Sequence, residues 1–173
     1  MRISRHDWAL FFSLMLSTLG VARAAELAQD ATTKGAVSIH LPTAWQSILV
    51  GRSLIAAGAP KADTDSTGQF TASLSISQDT GTKIDAPAQQ NQIAKQMHDY
   101  KVIEPPTAVT ISGVKGVMFG GSFKNGKVDV RSRQYMFAIN SQIYTITLTS
   151  LDSAWTDHQG VLEASIATFT VKP

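Results

Sequence analysis

Hydrophobic and polar residues alternate with a period of two in several stretches of this chain, and this pattern predicts a protein built largely from strands. In the stretch 70–77, Phe, Ala, Leu and Ile alternate with Thr and Ser, which is typical of a strand with one buried and one exposed face. The run 142–149 is the most strand-like, with Tyr144, Ile146 and Leu148 on one side. Further strands are predicted at 36–41, 108–112, 117–123, 128–139 and 168–171.

Short turn signals separate the strands of the second half. Asn125-Gly126 is a strong hairpin signal, because both residue types accept the positive φ angles of a type I′ turn. Asn140-Ser141 predicts a second tight turn. Gly120-Gly121 interrupts a predicted strand and indicates a bulge or a close approach of another stretch of backbone. These signals favour an antiparallel meander over 108–149.

A first helix is predicted to begin at Asp85, a residue type that caps helix N-termini well. Ile93, Met97 and Tyr100 would then form one apolar stripe, because residues four and seven apart share a helix face. Pro105-Pro106 prevents the helix from continuing further.

A second helix is predicted after the strand 142–149, with Ser150 or Asp152 as its cap. Its buried face would carry an aromatic residue and two aliphatic ones, at spacings of seven and four residues. These are Trp155, Leu162 and Ile166. Four aromatic side chains are predicted to be buried together where the sheet meets this helix: Trp45, Tyr144, Trp155 and Phe169.

Residues 1–24 have the pattern of a cleavable secretory signal peptide. Arg2 and Arg5 precede an apolar run at 8–21, and Ala22-Arg23-Ala24 supplies small residues at the cleavage positions. The run is too short for a spanning helix, which needs about 20 apolar residues. We therefore predict cleavage near Ala24, a periplasmic or secreted mature protein, and no membrane anchor after cleavage. Residues 25–35 are predicted to be a flexible leader, and 36–173 a single α+β domain.

The charge and the cysteine content of the chain exclude several classes of function. The segment 1–24 holds three arginines and one aspartate, so 12 basic and 12 acidic residues remain after it. A neutral mature chain does not favour nucleic acid as a partner, because nucleic-acid binding requires a basic surplus. The chain has no cysteine, which excludes disulfides and thiol catalysis.

The order of the predicted elements resembles the PsbP-like superfamily, which includes the PsbP subunit of photosystem II, the Ran-release factor Mog and DcrB-like bacterial envelope proteins. The resemblance is carried by the segments 38–45, 111–116, 144–147 and 165–169. It implies an α+β fold, with an antiparallel β-sheet flanked by helices. It also implies a scaffold that binds other proteins rather than an enzyme. The missing cysteine near the signal separates this chain from lipid-anchored members.

The sequence contains no recognisable set of metal ligands. His40, His98 and His158 lie in different predicted elements, without a second ligand at metal-binding spacing. His98 and His158 are predicted to be surface residues on helices. The segment 63–68 imitates the start of a calcium loop, but its twelfth position is Leu74, where a glutamate is required. We therefore predict no metal site, no cofactor and no catalytic residues.

One row of residues is a candidate partner-binding surface. Arg131, Arg133 and Tyr135 share one face of a predicted strand, because residues two apart on a strand point the same way. Paired guanidinium groups next to an aromatic row could bind a carboxylate or phosphate of a partner. The alternative is a solvated face on which the arginine stems cover apolar side chains.

These observations favour a periplasmic, non-catalytic binding or accessory protein that contacts another protein or complex of the cell envelope. Two alternatives stay open. One is a periplasmic immunity protein that neutralises a delivered toxin, a role that suits a small exported domain. The other is an enzyme with a diffuse polar site that no sequence motif reveals.

The export prediction can be checked directly. Mass spectrometry of the protein from its native host should give an N-terminus at or near Ala25, because small residues mark the cleavage site. An intact Met1 on a cytoplasmic product would contradict the assignment of the compartment.

Overall fold

The computed structural model describes residues 26–172, and the predicted signal peptide lies outside them. The fold is α+β, as predicted from the sequence, with helices on both faces of an antiparallel sheet. The strands are β1 (Thr32–Lys34), β2 (Val37–Ile39), β3 (Gln46–Ser47), β4 (Ile55–Gly58), β5 (Asp63–Asp65), β6 (Gly68–Phe70), β7 (Ser73–Thr80), β8 (His98–Ile111), β9 (Val114–Asn125), β10 (Val128–Ile139), β11 (Gln142–Leu151) and β12 (Thr170–Val171). The helices are α1 (Ala86–Gln96) and α2 (Trp155–Ala167), and a 3₁₀ turn (Asp152–Ala154) leads into α2.

Seven strands form the main sheet, in the order β3-β4-β7-β11-β10-β9-β8. All neighbours in it are antiparallel. The long hairpins β8–β9, β9–β10 and β10–β11 make up its second half, which confirms the predicted meander. A small sheet of order β1-β2-β12 and the hairpin β5–β6 complete the strands.

The main sheet is covered on both faces. One face packs against α2 and the small sheet, and Leu162 and Ile166 of α2 are buried there as the spacing predicted. The other face packs against α1 in a smaller cluster built on Ala86, Phe119 and Met136. Because residues alternate along each strand, β10 supplies side chains to both clusters.

Three of the four predicted core aromatics are buried together, and the fourth, Trp45, lies partly exposed at the border of their cluster. Phe169 stacks on Phe137 with ring centroids 5.4 Å apart, and its centroid lies 6.2 Å from that of Tyr144. Trp155 is buried in the same cluster, and the partly buried Trp45 packs against it. Aromatic pairs at such distances add stability beyond the apolar area that they bury.

The predicted turns are present, one with a shift of one residue. Asn140 and Ser141 both have positive φ angles, of 51° and 61°, as a type I′ turn requires. In the preceding hairpin Asn125 pairs with Val128, so the two loop residues are Gly126 and Lys127 rather than Asn125 and Gly126. Only Gly126 has a positive φ there, of 67°, which is the pattern of a type II′ turn.

The first helix is shorter than its apolar stripe suggested. Asp85 caps it as predicted, with its carboxylate accepting a hydrogen bond from Ala88 N at 3.1 Å. However, α1 ends at Gln96, and Tyr100 lies in β8. Asp99 adopts a positive φ of 54° at this junction, which redirects the chain from the helix into the strand. The prediction that Met97 and Tyr100 belong to the helical stripe is therefore wrong, since Met97 is the extended residue that ends α1.

Two further boundaries differ from the predictions. Residues 32–34, which the sequence assigned to the leader, form β1 and pair with β2 from Thr32↔Ile39 to Lys34↔Val37. Neither Ser150 nor Asp152 caps α2, because its N-cap is Ala154 and no side chain bonds to the first turn. The 3₁₀ turn provides the entry to α2 instead.

Candidate functional site

The predicted row of Arg131, Arg133 and Tyr135 does share one face of β10, and that face is the one that α2 covers. Tyr135 is 6% exposed, and the Arg133 side chain is 8% exposed. The Arg131 side chain is 25% exposed and lies at the border of the covered region. The row is thus largely enclosed, whereas a solvated face or an open partner-binding surface would be accessible. Its role in binding a partner stays a prediction.

Arg133 lies between two carboxylates from distant parts of the chain. Its Nε donates to Glu104 Oε2 at 2.8 Å, and its Nη2 donates to Glu104 Oε1, which gives a bidentate pair. Its Nη1 donates to Glu163 Oε1 on α2. Arg131 adds a weaker contact, with its Nη2 3.5 Å from Glu104 Oε1. This arrangement ties the edge strand β8, the interior strand β10 and α2 together.

Three residues spaced by four along α2 extend this network. Trp155 Nε1 donates to Gln159 Oε1 at 3.0 Å, and Gln159 Nε2 donates to Glu163 Oε1 at 2.9 Å. The guanidinium carbons of Arg131 and Arg133 lie 5.1 and 5.3 Å from the centroid of the Trp155 ring, within the range of cation–π attraction. The buried helix face therefore serves as a platform for both arginines. We call these six residues the charged network: Glu104, Arg131, Arg133, Trp155, Gln159 and Glu163.

Burial and the contacts within this region shift the pKa values of Glu104, Arg133 and Tyr135. Burial raises the pKa of Glu104, but hydrogen bonds and charge from Arg133, with a smaller contribution from Arg131, outweigh burial and hold this pKa below its ordinary value. The hydrogen bond to Glu104 raises the pKa of Arg133. Burial also raises the pKa of Tyr135. The charged forms of Glu104 and Arg133 stabilise each other, and Tyr135 remains neutral at physiological pH.

Two adjacent glycines make room for this arrangement on opposite faces of β9. A Cβ on Gly120 would lie 2.5 Å from Glu104 Oε2, and a Cβ on Gly121 would lie 2.4 Å from the Tyr100 ring. The sequence signal of a close approach at Gly120-Gly121 is therefore confirmed. The register irregularities lie in the partner strand β8, at three places between His98 and Thr107.

A buried glutamine fixes the same region from the other face of the sheet. Gln90 of α1 is 5% exposed, and its Nε2 lies 3.0 Å from Glu104 O and 3.2 Å from Gly120 O. Tyr100 Oη is 3.4 Å away. Glu104 is thus held on one face by its carboxylate and on the other by its main-chain carbonyl.

The sequence interpretation missed Glu104, Glu163 and Gln90 as members of this region. Glu104 is 29 residues from Arg133 along the chain, and Glu163 is 30 residues away, so no local spacing links them. The one local signal for this region was the glycine pair, because glycine inside a strand indicates that another group packs closely against that position. The pairing of β8 with β9 identifies one such group as the Glu104 side chain.

The segment 63–68 is a β-hairpin whose aspartates bond to the rest of the fold. Asp65 accepts hydrogen bonds from Thr67 N at 2.7 Å and from Thr67 Oγ1 at 2.6 Å, and its second oxygen accepts one from Ser153 Oγ at 2.7 Å. These bonds, led by the one from the Thr67 hydroxyl, lower the pKa of Asp65 to about 2. Asp63 Oδ2 lies 2.6 Å from His158 Nε2 on α2. The hairpin is thereby joined to the start of α2.

The three histidines within residues 26–172 lie apart, as the sequence predicted, but neither His98 nor His158 is an exposed residue on a helix, so that prediction is wrong. His158 is on α2 with a side chain only 17% exposed, and His98 begins β8 and is 78% exposed. His40 Nδ1 lies 2.9 Å from Ala28 O. Within residues 26–172, no three potential ligands among His, Asp and Glu come together as a metal site.

The exposed large apolar side chains of the described residues fall into two short segments. One lies around the start of β8 and comprises Met97, Val102 and Ile103. The other is the loop between β3 and β4 and comprises Ile48, Leu49 and Val50. These segments are at opposite edges of the seven-stranded sheet, since β8 and β3 are its outermost strands.

The structure resembles several solved proteins, although no family model and no curated protein matches the sequence. LpqN of Mycobacterium tuberculosis, involved in cell envelope biogenesis, aligns with a TM-score of 0.59 at 17% identity over 85% of this chain and 92% of its own. The cyanobacterial PsbP of Synechocystis (CyanoP) aligns with a TM-score of 0.58 at 14% identity, over 90% and 98%. PA94 of Pseudomonas aeruginosa, a protein of unknown function, aligns with a TM-score of 0.57 at 18% identity, over 86% and 99%.

The chain has a PsbP-like fold. The resemblance inferred from the sequence is therefore confirmed at the level of the fold, and identities below 20% carry no more than that. Within residues 26–172 of this PsbP-like chain, no helix is long and apolar enough to span a membrane.

Removing the charge of Arg133 should destabilise the PsbP-like fold strongly. The variant Arg133→Met leaves Glu104 and Glu163 without their shared cation, and breaking a buried ion pair typically costs about 3–5 kcal/mol. The matched control is Arg131→Met on the same strand, which removes a more exposed and more distant cation and should cost about 1 kcal/mol. Urea unfolding of both variants measures the difference. Equal, small losses would show that the charged network contributes little to stability.

Acidification should weaken the same network. A carboxylate whose pKa is lowered in the folded protein contributes stability that is present above its unfolded value and is lost as the pH falls through its folded value. For Glu104 this loss occurs below its ordinary pKa of 4.5. The stability gap between the parent and Glu104→Gln should therefore shrink as the pH falls below this value in a series of Tm measurements. A gap that is constant with pH would contradict the assignment.

Proposed function

We propose that this protein is an exported, non-catalytic accessory protein that binds another protein of the cell envelope. The observation that carries the proposal is the exposed apolar segment on the edge strand β8, which contains Val102 and Ile103. The involvement of LpqN in cell envelope biogenesis supports the choice of compartment. The signal pattern of residues 1–24 supports export.

The state of the charged network supports a non-catalytic role. An acid, base or electrophile in catalysis must reach a substrate from an accessible position. Arg133 instead uses donors on all three guanidinium nitrogens for Glu104 and Glu163. Those bonds hold β8 and α2 on the sheet, so this group of charged side chains acts within the fold.

The edge strand β8 is suited to contact through side chains. Val102 and Ile103 are 54% and 45% exposed, and Met97 at the end of α1 is 40% exposed. Register shifts and Pro105-Pro106 interrupt the strand, and such features hinder the addition of another strand to a sheet edge. A partner would therefore dock on the apolar side chains rather than extend the sheet.

Arg131 lies two strands in from this edge and points to the face of the sheet opposite Val102, because Arg131 pairs with Ser122 whereas Val102 pairs with Gly121. It lies opposite Ser122 of β9, which in turn lies opposite Lys101 of β8, the residue before Val102. Of the predicted row, Arg131 has the side chain that can reach a partner, because Arg133 and Tyr135 are buried. We therefore propose that the partner covers Val102 and Ile103, reaches round the edge strand, and presents an acidic group to Lys101 and Arg131 on the other face.

A cross-linking experiment tests this surface. A photoreactive amino acid at Val102 should cross-link to one envelope protein in cells, and Val102→Asp should weaken binding of that purified protein by about 2 kcal/mol or more if Val102 is an interaction hot spot. Thr110→Asp, at the other end of β8, is the matched control and should bind normally. Both variants should keep the parental Tm, since surface substitutions change stability by about 0.5 kcal/mol or less.

Two results would reject the proposed surface. One is the absence of any cross-linked protein from Val102. The other is equal binding of the cross-linked protein by the parent and by Val102→Asp, which would move the interface elsewhere.

A further inference from the structure

The loop between β3 and β4 exposes three consecutive apolar residues at the edge of the sheet opposite β8. Leu49 is fully exposed at its tip, and Ile48 and Val50 are 37% and 40% exposed. We call residues 48–50 the apolar tip. Burying such side chains is favourable in proportion to their apolar area, so their display to solvent favours contact with an apolar phase.

The apolar tip has a defined backbone shape. Ile48 N donates to Ala56 O at 3.0 Å, which extends the β3–β4 pairing into the loop. Ser53 N donates to Val50 O at 3.0 Å, and Gly51 supplies the positive φ of 49° that closes the turn. The exposure of Leu49 is therefore set by hydrogen bonds of the hairpin.

A groove of about 410 Å³ lies at the base of the tip. Leu41, Trp45 and Leu54 line it together with the tip, and β1 forms its other wall. Lys34 of β1 is the charged residue of this lining, which contains no aspartate or glutamate. Arg52 follows the tip in the chain and is also exposed. An apolar tip with nearby cations and a tryptophan below it matches the side-chain preferences of a membrane interface.

Charge and shape distinguish the possible occupants. Anionic lipid headgroups attract nearby Lys and Arg side chains, which agrees with a lining that has positive charge and no negative charge. The acyl chains of a membrane are fluid and can rearrange around a protruding tip, so the membrane needs no preformed pocket of matching shape. A protein partner would have to supply such a pocket, together with an acidic group to match the positive charge of the lining.

We propose that the apolar tip inserts into the interfacial layer of an anionic phospholipid membrane, with Lys34 and Arg52 against the headgroup phosphates. This contact is peripheral and reversible, and it is distinct from the proposed binding of a protein partner at β8. Three short side chains should bind no more tightly than a single myristoyl chain, for which the association constant is about 10⁴ M⁻¹.

Vesicle co-sedimentation tests the proposal. The processed protein from the host, with its N-terminus established by mass spectrometry, should sediment with vesicles that combine phosphatidylethanolamine and phosphatidylglycerol. It should bind less to vesicles of phosphatidylcholine alone. Leu49→Asp should lower the bound fraction about tenfold, since it places a charge where the tip enters the apolar layer. The double variant Lys34→Glu, Arg52→Glu should lose the preference for anionic vesicles.

The matched control is Val102→Asp, which makes the same kind of change at the opposite edge of the sheet. Val102→Asp should bind vesicles like the parent. Loss of vesicle binding by Leu49→Asp alone therefore reports on the lipid contact, whereas loss of protein binding by Val102→Asp alone reports on the proposed partner surface. Leu49→Asp should keep the parental Tm, because Leu49 is fully exposed.

Three outcomes would overturn the proposal. The parent could fail to sediment with anionic vesicles, or Leu49→Asp could bind them as well as the parent does. The third outcome is a dimer in solution that Leu49→Asp dissociates, because the tip would then contact a second copy of this chain rather than lipid.

Discussion

The bidentate pair between Arg133 and Glu104 is the interaction on which the arrangement of the second half of the molecule depends. It joins the edge strand β8 to the interior strand β10, and Glu163 extends it to α2. A buried pair of this kind adds little net stability compared with well-packed apolar residues, but losing one partner leaves a buried charge without compensation. We infer that the network acts mainly as a constraint on the position of α2 and on the register of β8.

This constraint explains several features that look unrelated in the sequence. Gly120 has no side chain because the Glu104 carboxylate occupies the space above it, and Gly121 leaves room for Tyr100 on the other face. The irregular register of β8 brings Glu104 and Tyr100 to these opposite faces. Gln90 then satisfies the main-chain carbonyls of Glu104 and Gly120 from α1. Both helices are thus positioned around one short stretch of two paired strands.

The same arrangement determines which surfaces are available for binding. Both faces of the seven-stranded sheet are covered by packed elements, so the exposed apolar side chains of the described residues occur at its two edges. The edge at β8 is irregular and has an arginine and a lysine nearby, whereas the β3–β4 edge ends in a tip with a groove beneath it. The two proposed contacts therefore lie at opposite edges of one sheet.

The sequence by itself determined the features that depend on neighbouring residues. The period of two located the strands of the second half, Asn140-Ser141 located a turn, and Asp85 located the start of α1, because each signal acts within a few residues. The order of these elements was enough for the PsbP-like resemblance. The shared face of Arg131 and Arg133 was also predictable from strand geometry.

Only the tertiary structure decided what that face contacts. Arg133 is buried because α2 folds over β10 and because Glu104 reaches it from a strand 29 residues away, which no local pattern encodes. Tyr100 fits a helical stripe by spacing, but Asp99 turns the chain and Tyr100 packs over Gly121 instead. Side-chain periodicity fixes the direction in which a residue points within its own element, whereas the residue that it meets depends on how distant elements pair.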